Sequence, residues 1–387
     1  MNKTVERIKK TNRTGTAHDD FNEPEEHKYQ HIFETLKDSI LSGKHRPGSR
    51  LPSEAELVRR FGVCRVTAAK AIKNLQQLGL VERRVGSGTY VKPRAGNISR
   101  LFGLLIPELG LTEIFEPICH GMAGFPFASR NSLLWGQSIG LNEPKEQIAE
   151  ELCQQYISER VSGVFFAPLE LLPRMEEVNR RIAAMLDRAR IPVVLLDRCF
   201  LPYPDRSKYD LVGIDNRRTA FAAAEHLIRT GARKIAFLGK PFSAQTVDAR
   251  IAGYREALLA HGLNRDGDLV FRCDPEDEQQ IGRIMKRHRP DAFLCANDLT
   301  AANLMRTLIA LGIRIPQVTK VVGIDDVKYA SLLPIPLTTQ HQPCLDLGRV
   351  AMSTMIDRLE NPDLPIRDIS LGCRLVVRKS CGAQSDS

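Results

Sequence analysis

Between Ser53 and Tyr90 the chain sets out a capping box, a glycine stop, a second helical stripe, a second glycine stop and a Gly-Ser-Gly reversal, in that order. Few folds accept that order. Ser53 and Glu56 form the reciprocal Ser-x-x-Glu pair that satisfies the free amides of a helix start, and Pro52 prevents the helix from running backward. A helix is therefore expected from about Glu54, with Leu57 and Val58 inward, ending at Phe61-Gly62, where glycine supplies the left-handed residue that closes a helix. Val66, Ala69, Ile72, Lys73 and Leu75 then recur at helical spacing, and this second helix stops at Leu78-Gly79. Leu80 to Val91 reads as two β-rich runs around Gly86-Ser87-Gly88, a hairpin. Two short helices joined by a glycine-containing turn, followed by a hairpin, make a helix-turn-helix with a wing. Its second helix presents Cys64, Arg65, Val66 and Thr67 at the end that enters a major groove.

Charge points to the same partner by a separate route. The chain has 55 Lys+Arg and 46 Asp+Glu, and His27 to Arg94 holds fourteen of the bases and five of the acids, so the remaining 41 of each sign cancel. The whole excess of +9 sits on the helix-turn-helix segment. A concentrated positive face is what neutralising phosphates requires.

The segment Pro47-Gly-Ser-Arg-Leu-Pro-Ser-Glu-Ala-Glu-Leu57, Phe61-Gly-Val-Cys-Arg-Val-Thr67 and Gly86-Ser-Gly-Thr89 resembles the winged-helix domain of the GntR family of bacterial transcription regulators, over about Lys28 to Lys92. That resemblance implies binding to double-stranded operator DNA. The residues expected at the DNA are Arg50, Ser53, Glu54, Cys64, Arg65, Val66, Thr67, Lys70, Arg84, Gly86, Ser87 and Gly88. Ala55 and Ala69 stand where the family often carries arginine, and Cys64 replaces the usual serine. A thiol accepts hydrogen bonds poorly, so the second helix should be weakly capped.

At 387 residues the chain has room for two or three domains. No apolar run approaches the ~18–20 residues that cross a bilayer, so a cytoplasmic protein without a membrane partner is expected. Nine scattered cysteines contain no Cys-x-x-Cys pair, which argues for free thiols and against a metal site; Cys119-His120 is too local to make one. Residues 1–26 read as a disordered tail, 27–92 as the winged helix-turn-helix, 93–99 as linker, 100–381 as a further domain and 382–387 as a tail.

From Leu101 onward short apolar runs alternate with amphipathic segments. The expected strands are Leu101–Pro107, Leu133–Trp135, Gly163–Ala167, Pro192–Asp197, Leu211–Ile214, Lys234–Gly239, Ala292–Ala296 and Lys320–Ile324, with helix-length segments between most of them. That alternation indicates α/β architecture with parallel sheets covered on both faces. The number of units calls for two doubly wound sheets rather than one. Ligands of such sheets bind beyond the carboxyl ends of the strands, here in a cleft between two lobes.

Polar residues just after those strands are thus the binding candidates: Asp197 and Arg198, Glu170, Arg250, Asn297, Asp298 and Gln340. Val212-Gly-Ile-Asp-Asn216, Arg250-Ile-Ala-Gly-Tyr254, Ala296-Asn-Asp298, Val322-Gly-Ile-Asp-Asp326 and Pro336-Leu-Thr-Thr339 resemble, in order, the effector domain of the LacI family, itself similar to periplasmic sugar-binding proteins. The resemblance implies small-molecule contacts at Asp197, Arg198, Arg250, Asn297, Asp298 and Gln340, and an Arg/Asp/Asn cluster suits a sugar-like molecule. Simpler readings stand beside these: Asp298 as the cap of a helix at Leu299, Arg198 as a surface cation, Asp325 and Asp326 as turn or cap residues. Phe242 and Trp135 could stack on a sugar or sit in a core. Glu113–Ser132 lacks the clear ligand loop often found after the first strand, and the linker lacks a LacI-type hinge helix. The combination of heads and bodies resembles arabinose-responsive repressors.

No Gly-x-x-x-x-Gly-Lys-[Ser/Thr], Gly-x-Ser-x-Gly or His-Glu-x-x-His occurs, so neither catalysis nor a cofactor is expected. The reading is a homodimeric DNA-binding regulator, a repressor, controlled by a small polar effector. The alternative is a cytoplasmic ligand-binding sensory module acting through a protein partner.

Overall fold

Ile32, Leu36 and Ile40 recur every four residues and are buried, the spacing that lays one face of a helix on a core. They belong to α1 (Glu25–Leu41), which opens two residues inside the segment that reads as tail. The computed structural model describes residues 25–42, 44–46, 48–84, 86–92, 100–106, 113–125, 131–136, 144–263 and 268–383. The rest of the tail (1–24), the linker segment 93–99 and residues 384–387 lie outside them. The chain divides into two units, Met1–Asn97 and Ile98–Ser387.

In the first unit, α1 packs on α3 (Arg65–Gln77), as does α2 (Glu54–Phe61). β1 (Val81–Arg84) and β2 (Gly88–Val91) pair antiparallel, with Val81 opposite Val91 and Arg84 opposite Gly88. The start and stop signals act as the sequence suggests. Ser53 caps α2 with the full capping box, and Gly62 closes it at φ 62°. The inward face of α3 is Thr67, Ala68, Ala71, Ile72 and Leu75. Ile72 and Leu75 of the anticipated stripe are on it, whereas Val66, 77% exposed, and Lys73 face solvent, and Thr67, Ala68 and Ala71 complete the buried face instead.

The second unit runs β3 (Arg100–Leu105), α4 (Phe115–Ala123), β4 (Asn131–Leu134), α5 (Lys145–Ser158), β5 (Gly163–Phe166), α6 (Met175–Arg188), β6 (Val193–Leu196) and β7 (Asp210–Ile214). It continues through α7 (Asn216–Arg229), β8 (Ile235–Gly239), α8 (Gln245–Ala260), β9 (Val270–Arg272), α9 (Glu278–His288), β10 (Ala292–Cys295), α10 (Asp298–Ala310), β11 (Lys320–Asp325) and β12 (Thr338–His341). It ends with α11 (Cys344–Glu360), β13 (Asp368–Leu371) and β14 (Arg374–Val376). Two six-stranded sheets result, ordered β13-β7-β6-β5-β3-β4 and β14-β12-β11-β10-β8-β9. Every pairing in them is parallel except β12 with β14.

Each sheet is buried on both faces, so most of its inner strands are apolar throughout while still alternating sides; β12, Thr-Thr-Gln-His, is the exception. In β5, Val164 and Phe166 join one core with Tyr156 and Ile182, whereas Phe165 joins another with Met352 and Met355. In the second sheet Phe237 and Leu294 face one way and Leu238 and Phe293 the other. All eight anticipated strands are present; of the others, β9, β13 and β14 are short edge strands whose half-exposed patterns carry little signal, and β12 is an inner strand whose Thr-Thr-Gln-His is polar. The chain passes between the lobes three times: after β7, after β12 and after β13.

Helices α4 and α11 approach so closely that glycine is required on both. A Cβ on Gly348 would lie 1.9 Å from the Ile118 carbonyl oxygen, and one on Gly121 would lie 2.1 Å from that of Leu345. Gly348→Ala is therefore expected to lower stability by about 1–3 kcal/mol through overpacking, read as a lower urea midpoint with an unchanged slope.

Candidate functional site

Two surfaces gather the functional side chains, one in each unit. In the first, the capping box aims α2 so that Glu54 meets Arg65 Nε at 3.4 Å and Arg83 Nη1 at 3.6 Å. The Arg65 and Arg83 side chains remain 84% and 62% exposed, leaving their other donors to solvent. Glu54 thus holds both cations beside the start of α3. At the start of α3, Cys64 makes no side-chain cap bond, as expected of a thiol in the serine position. Its sulfur instead lies 3.0 Å from Thr67 Oγ1. Thr67, expected at the DNA, is only 6% exposed; it occupies the inward third position of the helix and braces its start.

The wing is shaped by Gly86 (φ 74°) and Gly88 (φ 125°), conformations that glycine adopts without a Cβ clash. The Arg50 guanidinium folds over Gly88, where a Cβ would come within 2.7 Å of its Nε. Ser87 Oγ pairs with the Tyr90 hydroxyl at 2.7 Å. Arg84 lies over the Tyr90 ring at 4.7 Å while bound to Glu82, and Lys70 stands 4.2 Å over Tyr29. Val66, Arg65, Lys70 and the wing tip are all solvent-facing. Ser53 is spent on its cap.

In the second unit a cavity of about 130 Å³ opens between the lobes at the carboxyl ends of the strands. That is far more than a single water requires, so the space suits a small ligand. Glu170, Asp197, Arg198, Arg250 and Asn297 line it. Arg198 is buried rather than a surface cation. It pairs with Glu170, lies 3.4 Å from Asp197 Oδ2 through Nε, and sits 5.7 Å over the Phe115 ring. Arg250 donates from Nε to Asn216 Oδ1 at 2.7 Å and from Nη1 to the Ala296 carbonyl at 2.5 Å. Asp197 adopts φ 66°, which turns its carboxylate beside Arg198.

Glu170 also reaches across the cleft. The Ala244 N–H, at the start of α8, donates to Glu170 Oε2 at 3.3 Å, and Ala244 has no side chain to cap that helix. Next to it the Leu171 N–H donates to the Phe242 carbonyl at 2.8 Å. A carboxylate from one lobe therefore caps a helix of the other, forming a latch across the cleft. Burial pushes the Glu170 carboxyl up, but the charge and hydrogen bond of Arg198 outweigh it and hold the group below its ordinary range.

Two expected positions, Asp298 and Gln340, fall elsewhere. Asp298 is wholly buried, its carboxylate accepting from Thr339 Oγ1 at 2.6 Å and from the Val327 N–H at 3.1 Å. It does not line the cavity, and the cap of α10 is Asn297, which accepts from the Thr300 N–H. Gln340 is buried on β12, also off the cavity. Two residues on, Gln342 donates from Nε2 to Asp325 Oδ1 at 2.6 Å. Asp325 itself, which reads from sequence as a turn residue, lines the cleft. Burial pushes its carboxyl up to about 8, against the pull of Arg250 and with Asp298 adding to the rise. Asp326 is turned away and paired with Arg378 at 2.6 Å.

Glu113, Phe115 and Tyr329 also face the cleft, so part of the segment that seems to lack a ligand loop does supply lining. No strand-end rule finds Glu113 or Tyr329, because they precede a helix and sit in a 3-10 turn (Lys328–Ser331). Trp135 and Phe242 are 59% and 54% exposed and do not line the cavity. Among the described residues, no cluster of His, Cys, Asp and Glu could hold a metal, and no helix is long and apolar enough to cross a membrane.

Residues 28–91 match the bacterial regulatory proteins of the gntR family, and residues 224–381 match a periplasmic binding protein-like domain. The chain is similar to the arabinose metabolism transcriptional repressor of Geobacillus stearothermophilus, 26% identical over 365 residues covering 91% of this chain and 97% of the relative. It is 27% identical to the HTH-type transcriptional repressor PurR of Vibrio atlanticus over 289 residues, 73% of this chain and 82% of that one. Among solved structures, the transcriptional regulator CelR in complex with cellobiose superposes with a TM-score of 0.61 at 25% identity, over 82% of this chain and 91% of the other. A LacI family regulator of Enterococcus faecium with bound ribose shares the fold, with a TM-score of 0.59 at 21% identity over 73% and 98% of the two chains.

Two outcomes test these geometries. Cys64→Ser should supply the missing cap of α3 and stabilise the first unit by about 0.5–1 kcal/mol, seen as slower amide exchange in α3. Glu170→Gln should weaken the latch, lowering the melting temperature of the second unit and enlarging the ligand-free protein in small-angle X-ray scattering.

Proposed function

We propose that this chain, a DNA-binding transcription regulator joining a GntR-type helix-turn-helix domain to a periplasmic-binding-protein-like domain, is a repressor whose operator affinity is set by a sugar-like effector held in the interlobe cleft. The observation that carries the DNA reading is the exposed start of α3. Arg65 and Val66 project there beside a glycine-tipped wing, on the domain that holds the chain's entire charge excess. Arginine presents a fork of donors that suits guanine edges or phosphates.

The protein acts as a homodimer in the cytoplasm. Two heads spaced by about one helical turn of DNA read a two-fold operator, and a symmetric dimer supplies that geometry. A small polyhydroxylated effector fits the cleft for three reasons: its size, its carboxylates and amide as acceptors and donors for hydroxyl pairs, and the Phe115 and Tyr329 rings as apolar faces. Two similar regulators bind cellobiose and ribose. Effector binding shifts the lobe arrangement that the Glu170 latch holds. A coupling of about 1–3 kcal/mol between cleft and head is enough to switch operator occupancy.

Titration of operator DNA at fixed salt tests the head. Arg65→Ala is expected to cost about 1–3 kcal/mol in binding, and unchanged affinity would remove α3 from the interface. A protein-partner sensor, by contrast, would show no salt-dependent affinity for duplex DNA.

A further inference from the structure

Among the described residues of the first unit, Val66 is the one large apolar side chain left exposed, at 77%. It is the second residue of α3, directly after Arg65. Nothing in the fold of the head asks for it there. The inward face of α3 is complete without it, from Thr67 to Leu75, and a β-branched side chain loses rotamer freedom in a helix that a straight or small one keeps.

The surroundings decide what such a side chain can meet. Arg65, Lys70 and Lys73 are exposed cations on the same helix. Ala69, three residues on from Val66 and so its neighbour on the helix surface, is half-buried. A single valine among cations is too small an apolar surface to hold a protein partner, whereas the cations suit a phosphate backbone. Neither Val66 nor Ala69 has a side-chain hydrogen-bond donor or acceptor, so neither reads the polar edge of guanine, adenine or cytosine. In the major groove the apolar feature of a base pair is the C5-methyl group of thymine.

We propose that Val66 makes the head select a T·A pair, its methyl groups packing against the thymine C5-methyl where the start of α3 enters the major groove. This rests on the reading of α3 as the groove-entering helix and adds the base that it recognises. Arg65 and Val66 project about 100° apart around the helix, so the guanidinium can reach a neighbouring base or phosphate while the valine covers the methyl. The methyl contact acts by excluding water from two apolar surfaces, and its contribution is therefore insensitive to salt, unlike that of the cations.

The test uses the full-length protein and a pool of random-sequence duplex DNA, from which bound duplexes are recovered over successive rounds. Each thymine of the recovered site is then replaced singly by uracil, which removes only the methyl group, and affinity is read by fluorescence anisotropy. At one thymine, uracil is expected to weaken binding about fourfold, the effect of returning one methyl group to water, by the same factor at low and high salt. Cytosine at that position should bind about fourfold more weakly than 5-methylcytosine, for the same reason. In Val66→Ala, whose exposed position spares the fold, the thymine–uracil difference should fall below about twofold. Uracil tolerated at every position, no gain from cytosine methylation, or a thymine–uracil difference unchanged in Val66→Ala overturns the proposal and leaves α3 standing as the groove-entering helix. If Arg65→Ala also binds the recovered site with unchanged affinity, α3 is not at the DNA and both readings fall. A pool that yields no enriched sequence overturns sequence reading by the head, and this proposal with it.

Discussion

Two guanidinium groups, Arg198 and Arg250, are buried where the two sheets of the second unit face each other, and the arrangement of that unit follows from the need to satisfy them. An unpaired buried charge costs several kcal/mol, so each must be met by acceptors in fixed positions. Arg198 draws in Glu170 and Asp197 from the ends of β5 and β6. Arg250 bonds to Asn216, at the chain's first passage between lobes, and to the carbonyl of Ala296 after β10. The strands of a parallel sheet end side by side, which is why residues far apart in sequence can supply those partners at once.

Because the arginines consume their acceptors internally, the cleft is pre-organised rather than empty of order. Glu170 serves two roles, as partner of Arg198 and as cap of α8 in the opposite lobe. A ligand that alters either role alters the relation of the lobes. That is the physical basis on which a small molecule could be coupled to a DNA-binding head in the same chain. Asp325 completes the picture from the other side, tied to Gln342 where the chain crosses back between lobes.

Legibility differed between the two units for a physical reason. In the first, the start of α2, its glycine stop and the wing are set by near neighbours: Ser53 with Glu56, Gly62, and Gly86 with Gly88. Such local rules can be read along the chain. α1, too, is written locally, in the four-residue spacing of the buried Ile32, Leu36 and Ile40. In the second unit most inner strands were legible because burial on both faces makes them uniformly apolar, while the inner strand β12, whose Thr-Thr-Gln-His is polar, and the edge strands β9, β13 and β14 were not. Strand-end logic located Glu170, Asp197, Arg198, Arg250 and Asn297 at the cleft. It misplaced Asp298 and Gln340 and passed over Asp325, since neighbouring polar residues at a strand end point to opposite sides of the sheet.

The amino-acid sequence alone determined the two-part plan, the helix-turn-helix with its wing, the placement of all excess positive charge on that head, and the two doubly wound sheets. These depend on periodicity, capping and composition, which are properties of short stretches of chain. Only the tertiary structure decided that Thr67 turns inward while Val66 faces out, that Asp325 rather than Asp298 reaches the cleft, and that Glu170 spans it to cap α8. Those outcomes depend on where a side chain points once sheets have twisted and lobes have met, and on which of several competing acceptors a buried arginine finds first within reach.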